Sequence, residues 1–184
     1  MRNDINLSTL GKMAEVPEDS SPFQIGKQGQ FEGRAFELIG KIKVKWEDGF
    51  WNEWRALFSH GEEGWLGEAM GMLTFSFLRD FEKNISPKNI SIGSTLEIDR
   101  QSFEAEDIRK ARCIAMEGEI PFITSLNSKK ISIDFTGPKK TFATLEFFDD
   151  MKPVLYVGRY VNFDECHFKN LRELDGWPRS NNSM

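Results

Sequence analysis

The stretch from Phe31 to Leu78 is written in twos, broken by glycine turns. Leu38, Ile42, Val44 and Trp46 share one parity, while Lys41, Lys43 and Lys45 occupy the other. That alternation is the mark of a strand with one face buried and one wet. Glu47-Asp48-Gly49 follows, and an Asp-Gly pair accepts the positive φ of a tight reversal. A second strand is expected from Phe50 to Phe58, a turn at residues 59–64, a third strand from Trp65 to Glu68 and a fourth from Met70 to Leu78. Strands this short, joined by turns this tight, pair antiparallel, because a parallel crossover needs a dozen or more residues. Gly26, Gly29, Gly33 and Gly40 are placed where strands could bend at the corners of a small barrel or sandwich.

The rest of the chain repeats the style. Residues 80–90 are polar, carry Pro87, and read as a connection. Thr95–Ile98, Ile108–Met116, Lys130–Phe135, Phe142–Phe147 and Val154–Tyr160 are strand candidates, with Gly137-Pro138 and Asp149-Asp150 as turns. Only Asp164–Leu174 has a helical look. The expected fold is mainly β: two small packed antiparallel units, barrel- or sandwich-like, at residues 23–79 and 91–174, with a minor C-terminal helix. One intertwined β domain is the alternative. Residues 1–22 read as a flexible tail with a frayed turn around Leu7–Met13, and 175–184 as a second tail. No internal repeat stands out between the halves.

Composition agrees and narrows the function classes. Aromatic residues make up 12%, and 16 of them are Phe, a balance that suits pleated, half-buried surfaces. The net charge is −5 and the charges alternate in sign, with short basic clusters only at Lys129–Lys130 and Lys139–Lys140. A nucleic-acid binder normally gathers a basic excess on one surface, so nucleic acid is not an expected partner. No apolar run approaches the roughly 20 residues of a membrane span, and Met1-Arg2-Asn3-Asp4 lacks a signal-peptide core. The two cysteines, Cys113 and Cys166, form no CxxC motif. A bacterial-type protein of the reducing cytoplasm is expected.

The chemistry-bearing residues admit a structural and a functional reading each. Trp51-Asn52-Glu53-Trp54 is answered by Gly64-Trp65-Leu66. On a strand, Trp51 and Glu53 face one way and Asn52 and Trp54 the other. The indoles could cap a small barrel, or form a binding platform of the kind tryptophan favours. Glu53 between two indoles could be desolvated and act as an acid or base, or pair with a strand lysine. Glu117 and Glu119 flank Gly118, and two carboxylates on one strand face could serve metal or acid–base chemistry. Gly118 and Pro121 equally suit a strand that ends in a bulge. His60 sits in a turn and His167 directly follows Cys166, which is not the paired spacing of a zinc site. There is no Gly-x-Ser-x-Gly elbow and no dinucleotide or phosphate-loop glycine fingerprint, so no cofactor is implied.

At Trp51-Asn52-Glu53-Trp54, Gly64-Trp65-Leu66 and Glu117-Gly118-Glu119-Ile120-Pro121 the sequence resembles a bacterial domain-of-unknown-function family. In that family the last motif reads Glu-Gly-Glu-Leu-Pro, and Phe142–Glu146 with Tyr156-Val157-Gly158 also fit its tail. The resemblance spans about Phe23 to Leu174. It implies a cytoplasmic protein, often encoded near polyamine-type transferases and small membrane proteins in stress-related clusters, and it supplies no catalytic residues. Some relatives carry an N-terminal zinc ribbon; this chain has no cysteine before Cys113, so zinc does not transfer.

Two functions follow as expectations. One is a non-enzymatic adaptor that docks another protein on Trp51, Trp54 and Trp65, with Glu53 and Arg55 fixing orientation. The other is a small-molecule binder or enzyme, polyamine-like in ligand, that gathers Glu53, Glu117 and Glu119 in one pocket. Exposed indoles would favour the first, and converging carboxylates the second. Oligomeric state is left open.

Overall fold

The fold is a computed structural model that describes residues 20–121 and 124–178. Ten strands form one sheet: β1 (Gln28–Phe31), β2 (Arg34–Trp46), β3 (Gly49–Phe58), β4 (Glu63–Ala69), β5 (Met72–Arg79), β6 (Thr95–Ile98), β7 (Gln101–Gly118), β8 (Lys129–Thr136), β9 (Thr141–Phe148) and β10 (Val154–Val161). Their order is β1-β2-β3-β4-β5-β10-β9-β8-β7-β6, and β2 also pairs with β7. That extra pairing closes eight strands into an antiparallel barrel, leaving β1 and β6 as added strands on β2 and β7. The expected β class and antiparallel pairing hold. The expected pair of separate units does not: β2–β7 and β5–β10 join the halves edge to edge, so the intertwined alternative describes the molecule.

Helix is absent from 164–174 beyond a 3-10 turn at Phe163–Cys166. His167 and Asn170 take positive φ, and Lys169 N–H donates to Gln28 O on the edge of β1. Cys166, Phe168 and Leu171 all enter one core, a spacing no helical face provides. The segment is a strap over the sheet. Its end is docked as well, because Trp177 Nε1 donates to Ser20 O at 2.9 Å. Ser21 and Pro22, assigned to a tail by composition, are buried. The turn expected at Leu7–Met13 lies outside the described residues.

Parity in β2 breaks at a bulge between Leu38 and Gly40. Leu38 therefore joins a core with Phe36, Trp54, Phe58 and Phe75, whereas Ile42 and Val44 join a different cluster with Ala111 and Cys113. A bulge inserts one residue and turns the following side chains to the other face. Gly40 sits at this bend, and a Cβ there would overlap Glu119 O. A third cluster, around Phe103, Ile133, Phe135 and Leu145, belongs to the second half.

The halves repeat one another. Gly26 and Gly93, 67 positions apart, have φ of 85° and 87° and donate to Leu38 O and Ala105 O, both at 2.8 Å. The bulge at Ile39 recurs 67 positions later at Glu106. Phe36 and Phe103 are both buried at equivalent places. The strap at 163–177 covers the first core as Phe81, Ile85 and Ile90 cover the second. Thus the connection at 80–90 and the C-terminal strap are the same device used twice.

Candidate functional site

The barrel interior is polar at its centre. Lys130 on β8 reaches Glu53 on β3, although β2 and β7 lie between those strands, so the side chains meet across the lumen. Lys130 Nζ donates to Glu53 Oε1 at 2.8 Å and also to Glu146 Oε1 on β9. Trp51 Nε1 donates to the same Glu53 Oε1 at 2.7 Å. Lys130 and Glu146 are both under a tenth exposed. Burial opposes the charge on Lys130, but the two carboxylates outweigh it and hold its pKa above the ordinary lysine range. One cation cannot neutralise both acids. Burial, aided by the charge of Glu53, lifts Glu146 to about 7 against the pull of Lys130. Burial also raises Cys113, to about 11, and Tyr156, so both stay protonated at neutral pH.

The residues singled out in sequence are dispersed by this geometry. Trp54 is 1% exposed, with its Nε1 donating to Glu68 Oε2 at 3.0 Å. Trp51 and Trp65 are half-buried against the cluster of Ile42, Val44 and Cys113. Arg55 is spent on Glu63 and on Glu119 O. Glu53 faces the lumen with Ile42, its cross-strand partner; Glu117 is exposed beside Lys41, on the opposite face. Glu119 is exposed too, and its N–H closes the end of β7 by donating to Ile39 O, with Gly118 at φ 72°. Glu53 and Glu117 therefore do not converge, and none of the three indoles forms an exposed patch. Among the described residues no cluster of three or more His, Cys, Asp or Glu could hold a metal, and no helix is long and apolar enough to cross a membrane.

What the structure gathers instead is a basic cleft of ≈ 1090 Å³. It lies between the connection at residues 81–87, the β9–β10 turn, and the neighbouring parts of β2, β7, β8 and β9. Seven of its lining residues are Lys or Arg and three are Asp or Glu, in a chain whose net charge is −5. Lys45, Arg112 and Lys129 stand directly opposite one another on β2, β7 and β8. Such residues share a face, and like charges so placed repel. Elsewhere the same sheet sets Lys41 opposite Glu117 and Arg55 on Glu63, and the like-charged pair Asp107–Asp134 is bridged by Arg109. None of the three ladder cations forms a salt bridge among the described residues, and all are exposed, as is neighbouring Lys110. Trp46, Phe81 and Phe148 add aromatic wall, while the ammonium of Lys130 points the other way, into the lumen.

A second cleft of ≈ 970 Å³ occupies the equivalent place in the first half. Lys43, Phe50, Trp51, Asn52 and Glu68 line it where Lys110, Lys129, Lys130, Ile131 and Phe147 line the basic one. Lys43 and Lys110 match, and the other four equivalent positions carry different chemistry.

The model of a domain of unknown function, DUF4178, matches residues 24–163. The chain belongs to this family. No curated protein and no solved structure matches the chain. The DUF4178 match covers the barrel from the segment before β1 to the end of β10, so both halves and the basic cleft belong to one family unit. In the sequence of this DUF4178 domain Lys129–Lys130 shows only as a short basic pair. The alternation at Lys41, Lys43 and Lys45 marked one rung of the ladder. The other rungs depend on which strand closes on β2, which no local pattern specifies.

Proposed function

We propose that this DUF4178 domain is a binding module whose ligand is a phosphate-bearing small molecule held in the basic cleft. The observation that carries the reading is the Lys45–Arg112–Lys129 ladder. The sheet's like-charged pair Asp107–Asp134 is bridged by Arg109, whereas the three cations of the ladder stand in register with no counter-ion among the described residues, beside a deep cleft with aromatic wall. An anion would convert the mutual repulsion into shared attraction. The concavity favours a compact ligand, because ligand pockets bury most of the ligand against apolar walls and fix it with a few polar groups. Aromatic wall beside the cations suits a ligand with a planar or apolar part.

This reading replaces the two drawn from tryptophans and carboxylates. A protein docked on Trp51, Trp54 and Trp65 would need indoles at the surface. A polyamine would need Glu53, Glu117 and Glu119 in one pocket. Both motifs instead have structural work: Trp51 holds Glu53, and Glu117-Gly118-Glu119 ends β7 against the β2 bulge. Cytoplasmic placement belongs to the same proposal and is motivated by two buried, unpaired thiols, Cys113 and Cys166.

The test is a fluorescence titration of the full chain with pyrenetetrasulfonate, a planar aromatic of fixed negative charge. Saturable binding is expected, weakened about tenfold or more, or at least 1.4 kcal/mol, when Lys45, Arg112 and Lys129 are all changed to Gln. Nucleoside diphosphates should displace the probe. Binding that ignores the triple substitution would overturn the site. Displacement by single-stranded RNA at lower concentration than by any nucleotide would overturn the small-molecule ligand.

A further inference from the structure

Two opposite charges face the first-half cleft without answering each other. Lys43 of β2, Asn52 of β3 and Glu68 of β4 stand in register as one row across three strands. Each is less than a tenth exposed, and all three line the cleft of ≈ 970 Å³. We propose that this cleft is a second ligand site, which takes a free zwitterion of the α-amino-acid class. The ligand's ammonium meets Glu68, its carboxylate meets Lys43, and its apolar side chain lies against the rim. No residue of the basic cleft takes part, so this site is independent of the anion reading above.

The scaffold does not require these charges. In the second half the equivalent row is Lys110, Ile131 and Phe147, also in register on β7, β8 and β9. The strands thus accept apolar side chains at the places of Asn52 and Glu68. A buried carboxylate carries a desolvation penalty that an ion pair offsets in part, and Glu68 has no salt bridge among the described residues. Ser21 Oγ, Asn52 Nδ2 and Trp54 Nε1 all donate to its Oε2, at 2.8, 3.1 and 3.0 Å, so neutral donors alone fix the group. Its Oε1 receives none of them and is not sealed from the cleft. Lys41, whose charge reaches Glu68, lies over the Trp54 ring, 4.7 Å from its centroid, and forms no salt bridge with Glu68. Lys43 is likewise without a salt bridge among the described residues; its ammonium lies 5.5 Å from the centroid of Phe50, a residue of the cleft wall.

The arrangement selects the ligand's class. Two strand spacings, roughly 10 Å, separate the backbones that carry the two charges, and the long Lys43 stem lets its head approach the middle of the row. An anion alone would answer Lys43 and face the unpaired charge of Glu68, and a cation alone would do the reverse. A zwitterion answers both, and a free amino acid keeps both groups on one carbon, whereas amide bonds in a peptide consume them. The rim supplies the apolar part: Phe50, Met70 and Met72 are exposed hydrophobic side chains, and Tyr160 and Trp177 add aromatic wall. Unbranched methionines adapt to ligands of different shape, so recognition rests on the head group and tolerates variation in the side chain.

The experiment is calorimetric titration of the full chain at pH 7 with L-phenylalanine, 3-phenylpropionate and phenethylamine. These share a ring and carry both charges, the carboxylate alone or the ammonium alone. Expected is saturable binding of phenylalanine, about tenfold or more tighter than of either analogue. Lys43→Met should bind phenylalanine no tighter than phenethylamine, and Glu68→Gln should bind it no tighter than 3-phenylpropionate. A purely structural role for either residue would weaken all three ligands alike and leave their ratios unchanged, which would overturn the assignment. Lys43→Met decides the matter if Glu68→Gln fails to fold. The Lys45→Gln/Arg112→Gln/Lys129→Gln variant should bind phenylalanine as the wild type does; loss of binding there would move the ligand to the basic cleft and refute this site. Absence of saturable phenylalanine binding, or an analogue that binds the wild type as tightly, refutes the zwitterion site and leaves the anion reading to its own titration.

Discussion

Arg112→Gln should make the protein more stable and bind less. Arg112 is the middle rung of the ladder, directly opposite Lys45 on one side and Lys129 on the other. Cross-strand charge pairs are worth roughly 0.2–1 kcal/mol, and all three side chains are exposed, so the lower part of that range applies after screening. Two such repulsions removed give about 0.4–1 kcal/mol of added stability. For a domain of this size that is a rise in Tm of about 1–4 °C. Lys45→Gln and Lys129→Gln each remove one contact and should give about half as much. The double variant Lys45→Gln/Lys129→Gln removes both and should equal Arg112→Gln; adding Arg112→Gln to it should gain nothing further, because no pair is left to relieve. Scanning calorimetry at 10 mM and 1 M salt reads this directly. The Debye length falls from about 30 to about 3 Å between those conditions, so the gain should be present in the first and nearly gone in the second. A fall in Tm for Arg112→Gln at low salt, or a gain indifferent to salt, would mean that the ladder is not repulsive and that no ligand need be invoked to explain it.

The lumen supplies the other tests. Lys130→Met strands two acids in the barrel and should cost about 3–5 kcal/mol at pH 8, the usual penalty for breaking a buried ion pair from one side. The loss should shrink at pH 5, where the carboxylates can be protonated; urea denaturation at both values measures it. In the wild type, the folded pKa of Glu146 at about 7 lies above its ordinary 4.5. The folded state therefore holds this proton more tightly, and the stability it contributes is complete below pH 4.5 and declines as pH rises to 7. Glu146→Gln should flatten that slope, and an unchanged slope would assign it to another group. Gly158→Ala places a Cβ against Phe75 O, backbone that cannot step aside in the β5–β10 seam. It should cost more than about 3 kcal/mol, and a variant with wild-type Tm would show that this seam is looser than drawn.

The elements were legible because their causes are local. Alternation over Lys41–Trp46, the Asp48-Gly49 reversal and the Gly137-Pro138 turn each act within a few residues, and most strands formed near where their patterns placed them; β1 was not expected, and β7 begins at Gln101 and not at Ile108. What failed had non-local causes. Leu38 and Ile42 share parity in the sequence, yet a single inserted residue at Ile39 sends them to different cores. Residues 164–174 form a strap, not a helix, where the free edge of β1 accepts Lys169 N–H. The closure of β2 on β7 is a pairing between residues about 70 apart, and it creates the ladder, the lumen and both clefts. Conspicuous residues therefore misled: tryptophans draw the eye, but here they fill and wire the interior, while ordinary lysines on separate strands form the site.

The repeat explains why those lysines are informative. Positions that set backbone geometry keep their character across the halves: Gly26 and Gly93 turn alike, Ile39 and Glu106 bulge alike, Phe36 and Phe103 are buried alike. Of the positions that line the clefts, Lys43 and Lys110 agree and four others do not. Phe50 faces Lys129 across the repeat, Trp51 faces Lys130, Asn52 faces Ile131 and Glu68 faces Phe147. A scaffold constraint would act on both halves equally, since the strands and their pairings are equivalent. The strands and their pairings do not demand a cation in place of Phe50, and the anion proposed for the basic cleft gives a reason for Lys129. Trp51 and Lys130 make the point most sharply. From equivalent strands they reach the same oxygen of Glu53, one as a neutral donor and the other as a cation. Trp51 leaves the charge of Glu53 in place, whereas Lys130 compensates it.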